Sequence, residues 1–200
     1  GSADQTIKQW DVRDGSCVRT LEGHNYWVSA LALSAAGMTL FSGSWDKTIK
    51  VWDNTYMTLL HTFTGHKAQI NTLDMVFGSS YLASGSRDGL IMVWDLVKGK
   101  WLTQSDCESP VNCVLFSQKL YWLIIGTEKG IKVLDLPSSK FLQDIEAVSM
   151  LPNETGSKKP RSCTSLAWNK AGNHLYSGWS DNTIRVYSIE SAEAAVAESN

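Results

Sequence analysis

One short pattern returns five times along the chain. It reads TIKQWD at 6–11, TIKVWD at 48–53, LIMVWD at 90–95, IKVLD at 131–135 and TIRVYS at 183–188. Its aromatic position holds Trp10, Trp52 and Trp94, then Leu134 and Tyr187, at intervals of 42, 42, 40 and 53 residues. A unit of this size cannot bury its own apolar face and must stack on copies of itself. Two further marks keep the same register. Gly23-His24 and Gly65-His66 each place a His 28 residues before the Trp, and an acid stands six residues before each aromatic position: Asp4, Asp46, Asp88, Glu128 and Asp181.

The segments between these marks are short and β-rich, among them WVSALALS, TLFSGS and LLHTFTG, and no stretch carries a long helical period. Asp-Lys and Asp-Gly pairs at the acid positions suit tight hairpins. The expectation is an all-β propeller with about four blades. Residues 1–23 read as strands c and d of a preceding repeat, 24–189 as four blades with an insertion near 146–161, and 190–200 as a tail. The last blade shows strands a, b and c near 163–169, 173–178 and 183–188, with no pattern for an outer fourth. An unclosed blade exposes a sheet edge that templates pairing. The expected closure is a homodimer forming an eight-bladed ring, in preference to a four-bladed ring closed within one chain.

Nine Trp among 200 residues demand a repeated structural role. The net charge of −2 provides no electrostatic footprint for nonspecific nucleic-acid binding, and the one compact basic cluster is Lys158, Lys159 and Arg161. Cys17, Cys107, Cys113 and Cys163 have no metal-ligand or C-x-x-C spacing, and His24, His61, His66 and His174 do not complete one. They read as free thiols in a reducing compartment, and no cofactor is implied. No apolar run is long enough to span a bilayer and the first residues lack signal-peptide character, so the expectation is a soluble intracellular protein. The sequon at Asn153 is then incidental.

His24, Asp46 and Ser42 or Ser44 could be assembled into a catalytic triad. The same set recurs one period later as His66, Asp88 and Ser84 or Ser86, and duplication at the repeat period favours a buried hydrogen-bond network serving the indoles of Trp52 and Trp94. Asp181 belongs to that network by position. No nonrepeated nucleophile and base, metal spacing or phosphate loop appears, so the reading is non-enzymatic. Trp45 and Arg87 directly precede the turn acids, and Trp27 and Gln69 directly precede strand a. These four should share one face as candidate partner contacts, the alternative being ordinary rim residues.

The three marks together resemble the WD-repeat family. Within it HNYWVSALALS, SGSWDKTIKVWD, SPVNCVLFSQKLYWLIIGTEKGIKVLDL and CTSLAWNKAGNHLYSGWSDNTIRVY look like later repeats of the receptor-for-activated-C-kinase branch, which is similar to the G-protein β subunit. The resemblance implies a seven-bladed parent, a cytoplasmic scaffold on the small (40S) ribosomal subunit that also binds protein kinase C and other signalling proteins in translation and signal transduction. It also implies that rRNA contact belongs to earlier blades of the parent, and that Tyr121, at the start of strand b in the degenerate repeat, is an exposed, partner-facing aromatic, with packing between blades as the alternative. A WD-repeat adaptor of another complex, such as a ubiquitin-ligase receptor or a G-protein β-like subunit, is the alternative.

Overall fold

The computed structural model describes every residue except Phe77, Ser79, 147–160 and 189–200. Most of the expected insertion, with Lys158, Lys159 and Asn153, and all of the tail lie outside the described residues. All regular structure described is β-strand. Two strands, β1 (Ile7–Trp10) and β2 (Cys17–Leu21), form a first sheet. The second runs in order β3 (Val28–Leu33), β4 (Thr39–Ser44), β5 (Thr48–Asp53), β6 (Thr58–Thr64). The third has β7 (Ile70–Met75), β8 (Tyr81–Ser86), β9 (Leu90–Asp95) and β10 (Lys100–Asp106). The fourth has β11 (Val111–Phe116), β12 (Trp122–Thr127), β13 (Gly130–Asp135) and β14 (Lys140–Glu146). A last sheet holds β15 (Cys163–Trp168), β16 (His174–Trp179) and β17 (Ile184–Ser188). Neighbouring strands pair antiparallel in chain order, as blades of a WD-repeat propeller do. Two compact units divide the chain, Gly1–Val111 and Asn112–Asn200.

In the first unit, Phe41, Ile49 and Phe63 pack with Ile70, Leu73, Leu82, Met92 and Trp94 from the next sheet. In the second, Ile124, Ile131 and Val133 pack with Cys163, Leu175 and Trp179. Each such side chain contributes about 1.5–3 kcal/mol when fully buried. Strands β4, β8 and β12 bury their second halves completely, whereas β6 and β10 are mostly exposed. Hence these segments read as mixed apolar runs rather than clean alternation.

Sheets of one unit are also clamped by a recurring polar contact. The second residue of one first strand bonds the carbonyl of the first residue in the next such strand: Ser29 Oγ to Ile70 O, Asn71 Nδ2 to Val111 O at 2.7 Å and Asn112 Nδ2 to Cys163 O at 2.9 Å. The approach is close because a glycine faces the neighbour. A Cβ on Gly43 would fall 2.8 Å from Ile70 Cγ2.

The acid turns share one geometry. Asp4, Asp46, Asp88 and Asp181 each accept the backbone N–H two residues on through Oδ1, at 2.9, 2.9, 2.9 and 3.1 Å. The residue between donor and acceptor is left-handed in each: Gln5, Lys47, Gly89 and Asn182, with φ of 73°, 72°, 85° and 63°. Glu128 departs from this pattern, since its turn is one residue shorter and the Thr127 hydroxyl accepts from Lys129 N and Gly130 N at 3.2 Å instead. The acid that follows the Trp has its own task. Asp53 Oδ1 accepts from Thr55 N and Tyr56 N, and Asp95 Oδ1 from Val97 N and Lys98 N, which ties the next hairpin.

Candidate interaction site at the blade ends

The site is built outward from two buried networks. In the second sheet, Trp52 donates its indole N–H to Ser42 Oγ at 2.8 Å, and the same oxygen lies 2.7 Å from His24 Nε2. His24 Nδ1 stands 2.8 Å from Asp46 Oδ2. A proton order consistent with all three contacts has Ser42 donating to Nε2 and the Nδ1–H donating to Asp46. In the third sheet Trp94 donates to Ser84 Oγ at 2.8 Å and His66 Nε2 lies 2.7 Å away. The serines that meet the histidines are thus Ser42 and Ser84, both wholly buried, while Ser44 and Ser86 bond the turn backbone. An oxygen with no exposed surface, already receiving an indole N–H, is closed to any substrate.

The two copies are not equivalent. Burial raises the Asp46 carboxyl, but the His24 and Thr48 side chains and the Asn25 and Thr48 amides outweigh it and hold the group well below the usual carboxylate range. The position of Thr48 is taken by Leu90 in the next repeat, which offers Asp88 no hydroxyl. There His66 Nδ1 is 3.5 Å from Asp88 Oδ2, beyond a hydrogen bond, and burial lowers the His66 imidazole against the pull of Asp88. Asp88 is held low as well: burial opposes ionisation, and the amides of Leu90 and Lys67 overcome it.

The degenerate repeats alter the network. In the fourth sheet the Ser and Trp positions hold Ile125 and Leu134, both buried, so neither position calls for a hydrogen-bond partner. In the last sheet Ser177, the counterpart of Ser42, receives the indole of Trp179, two residues along the same strand, at 2.7 Å. Asp181 meets no histidine there. It pairs with Arg161 Nε and Arg185 at 3.2 Å, and the Arg185 guanidinium lies 4.3 Å from the Trp179 ring centroid. Its carboxyl is lowered: burial works against this, and Thr183 and the two arginines prevail.

These buried groups hold the loops that reach the surface. Asp46 Oδ2 accepts from Asn25 N at 3.0 Å, Ser44 Oγ donates to Tyr26 O, and Trp45 N donates to Trp27 O at 2.9 Å. The rings so presented form a cluster. Trp27 and Trp45 have centroids 4.4 Å apart, and Tyr26 stacks on Trp45 at 6.2 Å and 9°. Trp27 is 43 % and Tyr26 49 % exposed. The next repeat repeats the backbone bond, Arg87 N to Gln69 O at 2.9 Å, with Arg87 exposed and Gln69 half-buried. Trp27, Trp45, Gln69 and Arg87 therefore occupy matching loop positions. Tyr26 was not singled out from the sequence, since its repeat counterpart is Ala68 and only the stacking reveals it. Tyr121, 79 % exposed, lies in the loop before β12, between first and second strands, whereas Trp45 follows a second strand. Packing between blades is not its role. Among the described residues no group of three or more His, Cys, Asp or Glu is placed to hold a metal ion, and no helix is long and apolar enough to cross a membrane.

With stacked four-stranded sheets, the His–Ser–Trp network and the acid turns on the page, the class is defined: the chain is a WD-repeat protein. The model for the WD domain, G-beta repeat matches residues 15–53 and 57–95, and the Anaphase-promoting complex subunit 4 WD40 domain model matches 142–199. Among individual proteins, the chain is 36% identical over 190 residues to Small ribosomal subunit protein RACK1y of Oryza sativa subsp. japonica, covering 94% of this chain and 43% of that protein. It is 39% identical over 93 residues to Small ribosomal subunit protein RACK1 of Trypanosoma brucei brucei, covering 46% of this chain and 28% of that protein. The chain thus spans less than half the length of these relatives.

Proposed function

We propose that this chain is a non-enzymatic, cytoplasmic interaction scaffold that associates with the small ribosomal subunit and docks kinase C-type kinases. The observation that carries the reading is the aromatic cluster of Tyr26, Trp27 and Trp45 at a blade end, held in place by a network whose own polar groups are turned inward. Exposed aromatics are among the residue types that anchor macromolecular partners. The names of the relatives support the ribosomal half of the reading. The kinase half rests on the family resemblance. Capture from cytosol tests both: small-subunit ribosomal proteins and a C-type kinase should be enriched over a bead control, and enrichment of neither contradicts the proposal.

A second reading, an adaptor of a different complex, draws on the match of residues 142–199 to an Anaphase-promoting complex subunit 4 domain. The same capture separates the two by which assembly is recovered. Self-association is a further part of the proposal. Among the described residues β17 has one sheet neighbour, β16, so a strand from a second copy could add to its other edge. Light scattering across a concentration series should give twice the mass of one chain, and a constant single-chain mass contradicts it.

A further inference from the structure

Over the glycine in the second strand of two sheets, a side chain from the same sheet's first strand meets one from the next sheet's first strand. A Cβ built on Gly85 would touch Thr72 and Val111, whereas one on Gly43 would touch Ile70 and Leu73, both from the next sheet. At the second such position, Gly126, both side chains carry sulfur. A Cβ on Gly126 would fall 2.4 Å from Cys113 Sγ and 2.9 Å from Cys163 Sγ, so the absent methyl group leaves the two sulfurs facing each other. The Asn112 amide, bonded to the Cys163 carbonyl at 2.9 Å, holds β11 and β15 in this register. Both cysteines are free thiols, Cys163 buried and Cys113 half-buried.

We propose that Cys113 and Cys163 form an oxidant-responsive dithiol site, which a hydroperoxide converts to an intramolecular disulfide joining the fourth and fifth sheets. In the first step one sulfur attacks the peroxide O–O bond, giving a sulfenic acid and releasing water or an alcohol. In the second step the other sulfur displaces that hydroxyl as water and the S–S bond forms. Two thiols are oxidised by two electrons and one hydroperoxide is reduced. The contact with Cys113 lowers the Cys163 thiol against its burial, with help from the Arg185 charge, and the same contact, then burial, raises Cys113.

The test treats the full chain with a small excess of hydrogen peroxide, denatures it in iodoacetamide and maps peptides without reduction. The expected product has lost two hydrogens, carries a linked Cys113–Cys163 peptide pair, keeps Cys107 alkylated and melts at a higher temperature than the reduced chain. Cys113→Ala should lose the link and Cys17→Ser should keep it. Alkylation of both Cys113 and Cys163 after peroxide, with oxidation confined to Cys17, overturns the proposal. That result is read on the unaltered chain and so does not depend on how the variants fold.

Discussion

Ser42 shows how much one oxygen supports. It serves Trp52 and His24 at once, so Ser42→Ala leaves an indole N–H and an imidazole nitrogen buried without a partner. Chemical denaturation should register a loss of about 1–3 kcal/mol; an unchanged midpoint would mean the contacts are dispensable. Lys47 gives the opposite case. It holds φ of 72° where the next repeat has Gly89, so Lys47→Gly should gain about 0.5–1 kcal/mol by removing left-handed strain, less the entropy of the added glycine. His66 predicts a pH dependence. Its folded pKa is lowered, so its contribution is complete above the ordinary imidazole value and is lost as pH falls from there through the folded value, the unfolded chain taking up a proton that the native one refuses. Stability of the wild type should therefore fall below pH of about 6.5 more steeply than that of His66→Gln, and parallel profiles would contradict this. The histidines, acids and tryptophans were legible in the sequence because a two-part spacing repeated. The choice of Ser42 over Ser44 was not, since the two lie two residues apart on one face of β4, both fully buried, and only their hydrogen-bond partners tell them apart.

At the scale of the element, the recurrent strands were read from turn residues and β-rich runs, and the strand pairing follows chain order. Two features were hidden. The inter-sheet clamp uses Ser29, Asn71 and Asn112, residue types that differ between repeats and sit on strands, where nothing in the sequence marks them. The pairing of Cys113 with Cys163 spans the insertion, and their separation of 50 residues gives no local signal. The glycines facing the next sheet measure how tightly the elements approach. Gly43→Ala would put a methyl group 2.8 Å from Ile70 Cγ2, so a loss of about 1–3 kcal/mol is expected by urea denaturation. A neutral outcome would mean that the neighbouring sheet yields without cost.

For the whole molecule, the repeat does two jobs with one set of groups: it satisfies the buried indoles and it fixes loops that carry Tyr26, Trp27 and Trp45 to the surface. Degeneration in later repeats is consistent with this, since the Ser and Trp positions become apolar together at Ile125 and Leu134, while Asp181 exchanges a histidine for Arg161 and Arg185. The surface cluster was half legible: Trp27 and Trp45 stood out by repeat position, whereas Tyr26 emerges only from ring stacking. The most direct measurement is co-sedimentation of the chain with purified small ribosomal subunits, comparing wild type with the double variant Trp27→Ala, Trp45→Ala after both give the same circular dichroism. The account predicts that the wild type travels with the subunit and that the variant loses at least tenfold in affinity, a change of about 1.4 kcal/mol. Equal binding by the two proteins, or no binding by the wild type, would contradict it.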